Sequence, residues 1–107
     1  MTINKTQKNE KVILTLEGRL DTITAQQFQD VLIPVFDEAK QIELDFSQLT
    51  YISSAGLRVL LIGQKAALTK GASMTLHGVL GEVKEVFKIT GFDEALTIVQ
   101  GENNDGI

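Results

Sequence analysis

Hydrophobic residues change their spacing several times along this 107-residue chain, and each change predicts an element boundary. From Lys11 to Glu17, Val12, Leu14 and Leu16 alternate with Lys11, Ile13 and Thr15, the period of two expected of a strand with one face better buried. Thr2 to Gln7 can pair with it as an edge strand. Gly18, within Glu17-Gly18-Arg19-Leu20-Asp21, then breaks the alternation and allows a bend that other residues resist. Beyond it, Phe28, Val31, Leu32, Val35, Phe36 and Ala39 recur at spacings of three and four, predicting a first helix that ends near Lys40. Thr24 and Gln27 fit a capping box, with Ile23 packing on Phe28 as a hydrophobic staple. Pro34 removes one hydrogen bond of this helix and predicts a bend over Leu32 to Val35.

Ile42, Leu44 and Phe46 alternate with Glu43 and Asp45 as a short strand. Leu57, Leu60, Leu61, Gln64 and Leu68 mark a second helix, which Gly71 can terminate. Ala72 to His77 reads as the next strand. Gly81 to Thr90 reads as a third helix, with Glu82 early and Lys88 late as its dipole prefers, and Gly91 as its cap. Leu96 to Val99 predicts a last strand. Two strands followed by alternating helices and strands give an α/β fold with a mixed, largely parallel sheet flanked by helices. The expected division is one domain over residues 1–100 and a flexible polar tail over 101–107.

Composition narrows the function classes. With 43 % hydrophobic and 22 % charged residues, the chain suits a single domain with one core. The longest apolar run, Val59-Leu60-Leu61-Ile62, falls far short of the roughly 20 residues of a membrane span. Met1-Thr2-Ile3-Asn4-Lys5 holds no apolar signal core, so a cytoplasmic location is expected. The absence of cysteine excludes disulfides and thiolate metal sites. A net charge of -4, with lysine and arginine scattered along the chain, lacks the basic stripe of a nucleic-acid binder. A protein or small-molecule partner is favoured, with a monomer as the default state.

The chemistry concentrates at Tyr51-Ile52-Ser53-Ser54-Ala55-Gly56-Leu57, where a strand gives way to a helix. A serine hydrolase would need a Gly-x-Ser-x-Gly elbow, which is missing, and His77 is the single histidine available as a base. No Gly-x-x-x-x-Gly-Lys-Ser/Thr loop is present for nucleotide phosphates, and Gly78-Val79-Leu80-Gly81 is only a glycine-bounded turn. One histidine among dispersed carboxylates makes no metal-ligand set, so neither cofactor nor metal is expected. Either serine can cap the second helix, a bond worth about 1 kcal/mol. The same place also accommodates phosphate, since a helix N-terminus offers free N–H groups and a positive dipole end. Phosphorylation adds about 1.5 to 2 negative charges. At about 5 Å from a partner carboxylate, with an effective dielectric near 20, each costs roughly 3 kcal/mol, about a hundredfold in affinity.

Three blocks resemble the STAS domain family in its free-standing form as a bacterial anti-sigma factor antagonist. They are Leu16-Glu17-Gly18-Arg19-Leu20-Asp21-Thr22-Ile23-Thr24-Ala25, Leu44-Asp45-Phe46-Ser47, and Tyr51-Ile52-Ser53-Ser54-Ala55-Gly56-Leu57-Arg58-Val59-Leu60. Gly91-Phe92 extends the match to nearly the whole chain. The resemblance implies a non-catalytic domain that binds an anti-sigma factor, itself a serine kinase, and so frees the sigma factor. Phosphorylation by that kinase ends the binding, and a serine phosphatase restores it. Counting back two positions from Gly56 puts the family's phosphoacceptor on Ser54. Many relatives have Asp-Ser-Ser-Gly where this chain has Ser53-Ser54-Ala55-Gly56, which makes Ser53 a competing acceptor. Asp21 matches the loop aspartate that helps shape the docking surface, and Asp45 matches the aspartate that ends the central strand, which implies either a structural role, bonding backbone amides of the following turn, or a direct contact with the partner. The docking surface is expected to include Asp21, Thr22, Ser53, Ser54, Gly56 and Arg58. An alternative role on the same fold is a scaffold subunit of a signalling or lipid-transport complex.

Overall fold

The computed structural model describes residues 1–99; the expected tail over 101–107 lies outside them. Strands β1 (Thr2–Lys8) and β2 (Lys11–Leu20) form an antiparallel hairpin. Helix α1 (Thr24–Val35), strand β3 (Gln41–Ile52), helix α2 (Ser54–Lys70), strand β4 (Ser73–His77), helix α3 (Gly81–Thr90) and the single turn α4 (Phe92–Ala95) follow. The sheet order is β1-β2-β3-β4, with β2, β3 and β4 parallel. This is the mixed, largely parallel α/β sheet that the order of elements predicts.

Alternation on the strands decides which face carries the helices. Val12, Leu14 and Leu16 on β2, Ile42, Leu44 and Phe46 on β3, and Met74 and Leu76 on β4 are at most 2 % exposed. Phe28, Leu32 and Val35 of α1 and Leu57 and Leu60 of α2 join the same core. Phe87 of α3 tilts against Phe46, ring centroids 6.4 Å apart. The opposite face is half-buried and polar: Lys11 pairs with Glu43 at 2.7 Å, and His77 Nε2 lies 2.8 Å from Thr75 Oγ1 and 3.8 Å from Glu43 Oε1. β1 forms an outer edge, exposed at six of its seven positions.

Four expectations need correction. The third strand does not stop at Phe46. Its partners step from Thr15↔Asp45 to Glu17↔Gln48, and again from Gly18↔Leu49 to Arg19↔Tyr51, so β3 carries two bulges. Each bulge inserts a residue, and the core positions Phe46, Leu49 and Ile52 therefore fall three apart. Gly18 lies beside the second bulge with φ +107, a backbone angle that favours glycine. The first helix ends at Val35, five residues before Lys40. Pro34 sits in its last turn, and the chain beyond tightens through Phe36 N–H to Ile33 O, Asp37 N–H to Pro34 O and Glu38 N–H to Val35 O. In place of a strand at Leu96 to Val99 there is a single parallel bridge, Leu76↔Ile98. The Thr24–Gln27 capping box does not form: Gln27 Nε2 donates to Met1 O, and Ile23, 86 % exposed, packs on nothing as a staple.

Candidate functional site

Parallel strands end on the same side, so β2 and β3 deliver the start of α1 and the start of α2 to one edge of the sheet, the usual location of a site in an α/β fold. Leu20 is in register with Ile52, and Ser53 N–H donates to Leu20 O at 2.9 Å. Asp21 and Ser53 are thereby neighbours in space though 32 positions apart.

Each caps its own helix. Asp21 Oδ1 accepts the N–H groups of Ile23 and Thr24 at 3.0 Å, and Ala25 N–H donates to Asp21 O at 2.9 Å. Thr24 Oγ1 returns the favour by accepting Asp21 N–H at 2.8 Å, and it donates to Arg19 O at 2.8 Å. This is a reciprocal capping box, Asp-x-x-Thr, set three residues ahead of the predicted one. Ile23 has helical angles (φ -76, ψ -43) and no side-chain cap of its own; the hydrogen bonds put the capping function at Asp21. The Thr24 backbone N–H holds the Asp21 carboxyl below the usual carboxylate range. The Thr24 hydroxyl, Ile23 N–H and Arg19 charge add to this, and desolvation opposes it.

At the second helix, Ser53 is the N-cap. Its backbone is extended (φ -100, ψ 175), its Oγ accepts Gly56 N–H at 3.4 Å, and its carbonyl accepts Leu57 N–H at 3.0 Å. Ser54 is the first helical residue and is exposed, with no part in the cap. The two serines therefore separate the two tasks that sequence reasoning leaves joined: one closes the helix and the other presents its hydroxyl to solvent.

Thr22 and Arg58 are exposed beside them, on the α1 entry and on α2. Gly56 is buried. A Cβ there would meet Leu20 Cγ at 2.7 Å and Ile52 Cγ1 at 3.0 Å, so glycine lets α2 lie directly on the ends of both strands. Asp45 is not part of this grouping. It sits at the first bulge of β3, eight residues and roughly 25 Å of strand before Ser53, where its Oδ1 accepts Ser47 N–H at 2.9 Å. The expected bond to a following amide is present, but the strand does not end there. His77 pairs with Asp45 in the β3–β4 register, eight residues of strand before Ser53.

Two features at this edge escape the sequence. Arg19 lies over the Tyr51 ring with its guanidinium carbon 4.1 Å from the centroid, a cation–π contact on the face away from the helices. Ile23 stands exposed between Asp21 and α1. An Asp21-x-x-Thr24 box in the sequence would have placed Ile23 in the first turn of the helix; nothing local signals the Arg19–Tyr51 contact, which depends on the bulged register.

The fold and this edge define a class. The family model described as "Mlab, STAS domain" matches residues 3–100, and the chain belongs to the STAS domain family. Among its relatives, BtrV of Bordetella bronchiseptica, assigned as an anti-sigma factor antagonist, is 35 % identical over 82 residues, covering 76 % of this chain and 71 % of BtrV. The crystal structure of an anti-sigma factor antagonist from Mycobacterium paratuberculosis superposes with a TM-score of 0.83 at 15 % identity, over 96 % of this chain and 88 % of the other. The Bacillus cell fate determinant SpoIIAA in its phosphorylated form gives a TM-score of 0.72 at 17 % identity, over 98 % and 97 %. Among the described residues, no helix is long and apolar enough to cross a membrane.

Proposed function

We propose that this chain is an anti-sigma factor antagonist whose binding to an anti-sigma factor with serine kinase activity is switched off by phosphorylation of Ser54. The observation that carries the reading is the exposure of Ser54 at the first position of a helix whose cap is supplied by Ser53. A phosphoryl group on Ser54 leaves the cap intact and meets the positive end of α2. In the transfer, Ser54 Oγ bonds to the γ-phosphorus of ATP held by the kinase. The bond to the β–γ bridging oxygen breaks, ADP departs, and the hydroxyl proton passes to a base of the kinase. The relationship to BtrV supports the partner class, and the phosphorylated form of SpoIIAA supports a fold that carries the modification. The domain itself acts by binding and performs no catalysis, and a serine phosphatase resets it. Asp21, Thr22, Ser53 and Arg58 frame the docking surface, with Gly56 acting from beneath it by holding α2 close to the strands.

Peptide-level mass spectrometry after incubation with ATP and an extract of the source cells tests the acceptor. One phosphoryl group is expected on Ser54, lost in Ser54→Ala and retained in Ser53→Ala. A kinase-active extract that labels neither serine refutes the reading. With the kinase in hand, calorimetry is expected to give about a hundredfold weaker binding for a phosphorylated domain than for Ser54→Ala.

A further inference from the structure

Both arginines of the chain, Arg19 and Arg58, lie at the edge that carries Ser53 and Ser54, and they are engaged differently. Arg19 is committed to the Tyr51 ring at 4.1 Å. Arg58 is exposed and makes no hydrogen bond, ion pair or ring contact with any described residue. It follows Ser54 by four positions in α2, so the two share a helix face, their Cβ atoms about 5–6 Å apart. Helical side chains lean toward the N-terminus, and a residue covers the turn that precedes its own Cα. For Arg58 that turn begins at Ser54. A guanidinium offers five donors in a planar fork, a geometry that meets two phosphate oxygens at once.

We infer that Arg58 is the intramolecular partner of phosphoserine at position 54, closing an i, i+4 ion pair along α2 once the phosphoryl group is in place. The inference rests on the reading of Ser54 as the acceptor and states how the mark acts on the docking surface. Before modification, Arg58 presents an unengaged positive charge there. Afterwards that charge is consumed, and the second phosphate charge remains in excess. One covalent change thus withdraws a cation from the surface and adds an anion to it. Of the other ionisable groups at this edge, Asp21 on the β2–α1 connection is held by the α1 cap, and Arg19 on β2 is held by Tyr51 on the face away from the helices.

The test needs neither kinase nor partner. Phosphoserine is installed at position 54 of the full chain by genetic-code expansion, and its second ionisation is followed by 31P NMR. With Arg58 present, the midpoint is expected about 0.3 pH unit lower than in Arg58→Ala. Arg58→Lys is expected to lie between them, and 1 M salt is expected to shrink the difference. Equal midpoints with and without Arg58 overturn the inference, as does a larger displacement from Arg19→Ala than from Arg58→Ala. Either result leaves labelling of Ser54 by an extract untouched; conversely, absence of labelling would sink the parent reading without altering the titration.

Discussion

Replacing Gly56 by alanine is expected to destabilise the domain by about 1–2 kcal/mol, the net of two opposing effects. Alanine is favoured over glycine in a helix interior by about 1 kcal/mol, the upper limit of what it would add to α2 at Gly56 in the first turn. Against this, the new Cβ would stand 2.7 Å from Leu20 Cγ and 3.0 Å from Ile52 Cγ1, roughly 1 Å inside an ordinary carbon contact of about 3.5–4.0 Å. Leu20 is fully buried and Ile52 is 3 % exposed, and the clash falls on the branch point of Leu20, so neither side chain can swing clear. Overpacking of a filled core typically costs about 1–3 kcal/mol, and this geometry belongs toward the upper end. Gly63 supplies an internal control. A Cβ there would meet Leu32 Cδ2 at 2.8 Å and Met74 Sδ at 3.0 Å, atoms near the ends of side chains that can turn aside, methionine especially. Gly63→Ala is therefore expected to change stability by under about 1 kcal/mol, with the propensity gain offsetting the contact. In thermal unfolding, Gly56→Ala should melt roughly 5–15 °C below the parent, taking about 4–8 °C per kcal/mol for a domain of this size. A Gly56→Ala variant at least as stable as the parent, or a Gly63→Ala variant that is worse, refutes the packing argument.

Other outcomes test the site itself. Ser53→Ala should cost about 0.5–1 kcal/mol in urea unfolding, at the lower end for a cap because its bond is long at 3.4 Å. Ser54→Ala should fall within about 0.5 kcal/mol of the parent; the reverse order would reassign the cap. The Asp21 carboxyl, followed by NMR, should titrate below the ordinary value of about 3.9. Its folded-state value is depressed, so the stability it contributes is complete above the unfolded value and is lost as pH falls through the folded one. Asp21→Asn should therefore flatten the stability profile in that acid window, and an Asp21 midpoint at or above 3.9 would contradict the capping geometry.

The parts of the fold legible in the sequence are those whose hydrophobic period and backbone agree. Gly81 to Thr90 coincides with α3 at both ends, and the Val12, Leu14, Leu16 alternation lies wholly within β2. β3 was half legible because two bulges stretch a period of two into a period of three after Phe46. The helical periodicity outruns the end of α1 because Ala39, 7 % exposed, keeps the helical burial pattern after the backbone has tightened past Pro34. Leu68, one of the residues that mark the second helix, is 73 % exposed while Ala67 beside it is 1 % exposed, because the buried stripe of the last turn of α2 runs through Ala67. At the site, the serine pair was legible because capping is a local property of a strand-to-helix junction. Which serine caps was not, since that depends on which one keeps extended angles where β3 meets Leu20. Asp21 was found through resemblance, and its carboxylate proves committed to the α1 cap.

Ser54 stands on a 17-residue helix fixed at both ends, by Ser53 at the start and by Gly71 in the left-handed conformation (φ 66) at the close. A chemical mark written there would alter the local field without asking the backbone to take a second shape. Such a message has a short range: at physiological ionic strength it fades over about 8 Å, so only a protein already touching this edge could read it. It also has no memory, since no rearranged segment must relax once the phosphate is removed. The tempo of signalling through a domain built this way would be set by the enzymes that write and erase the mark, and the domain would act as the page.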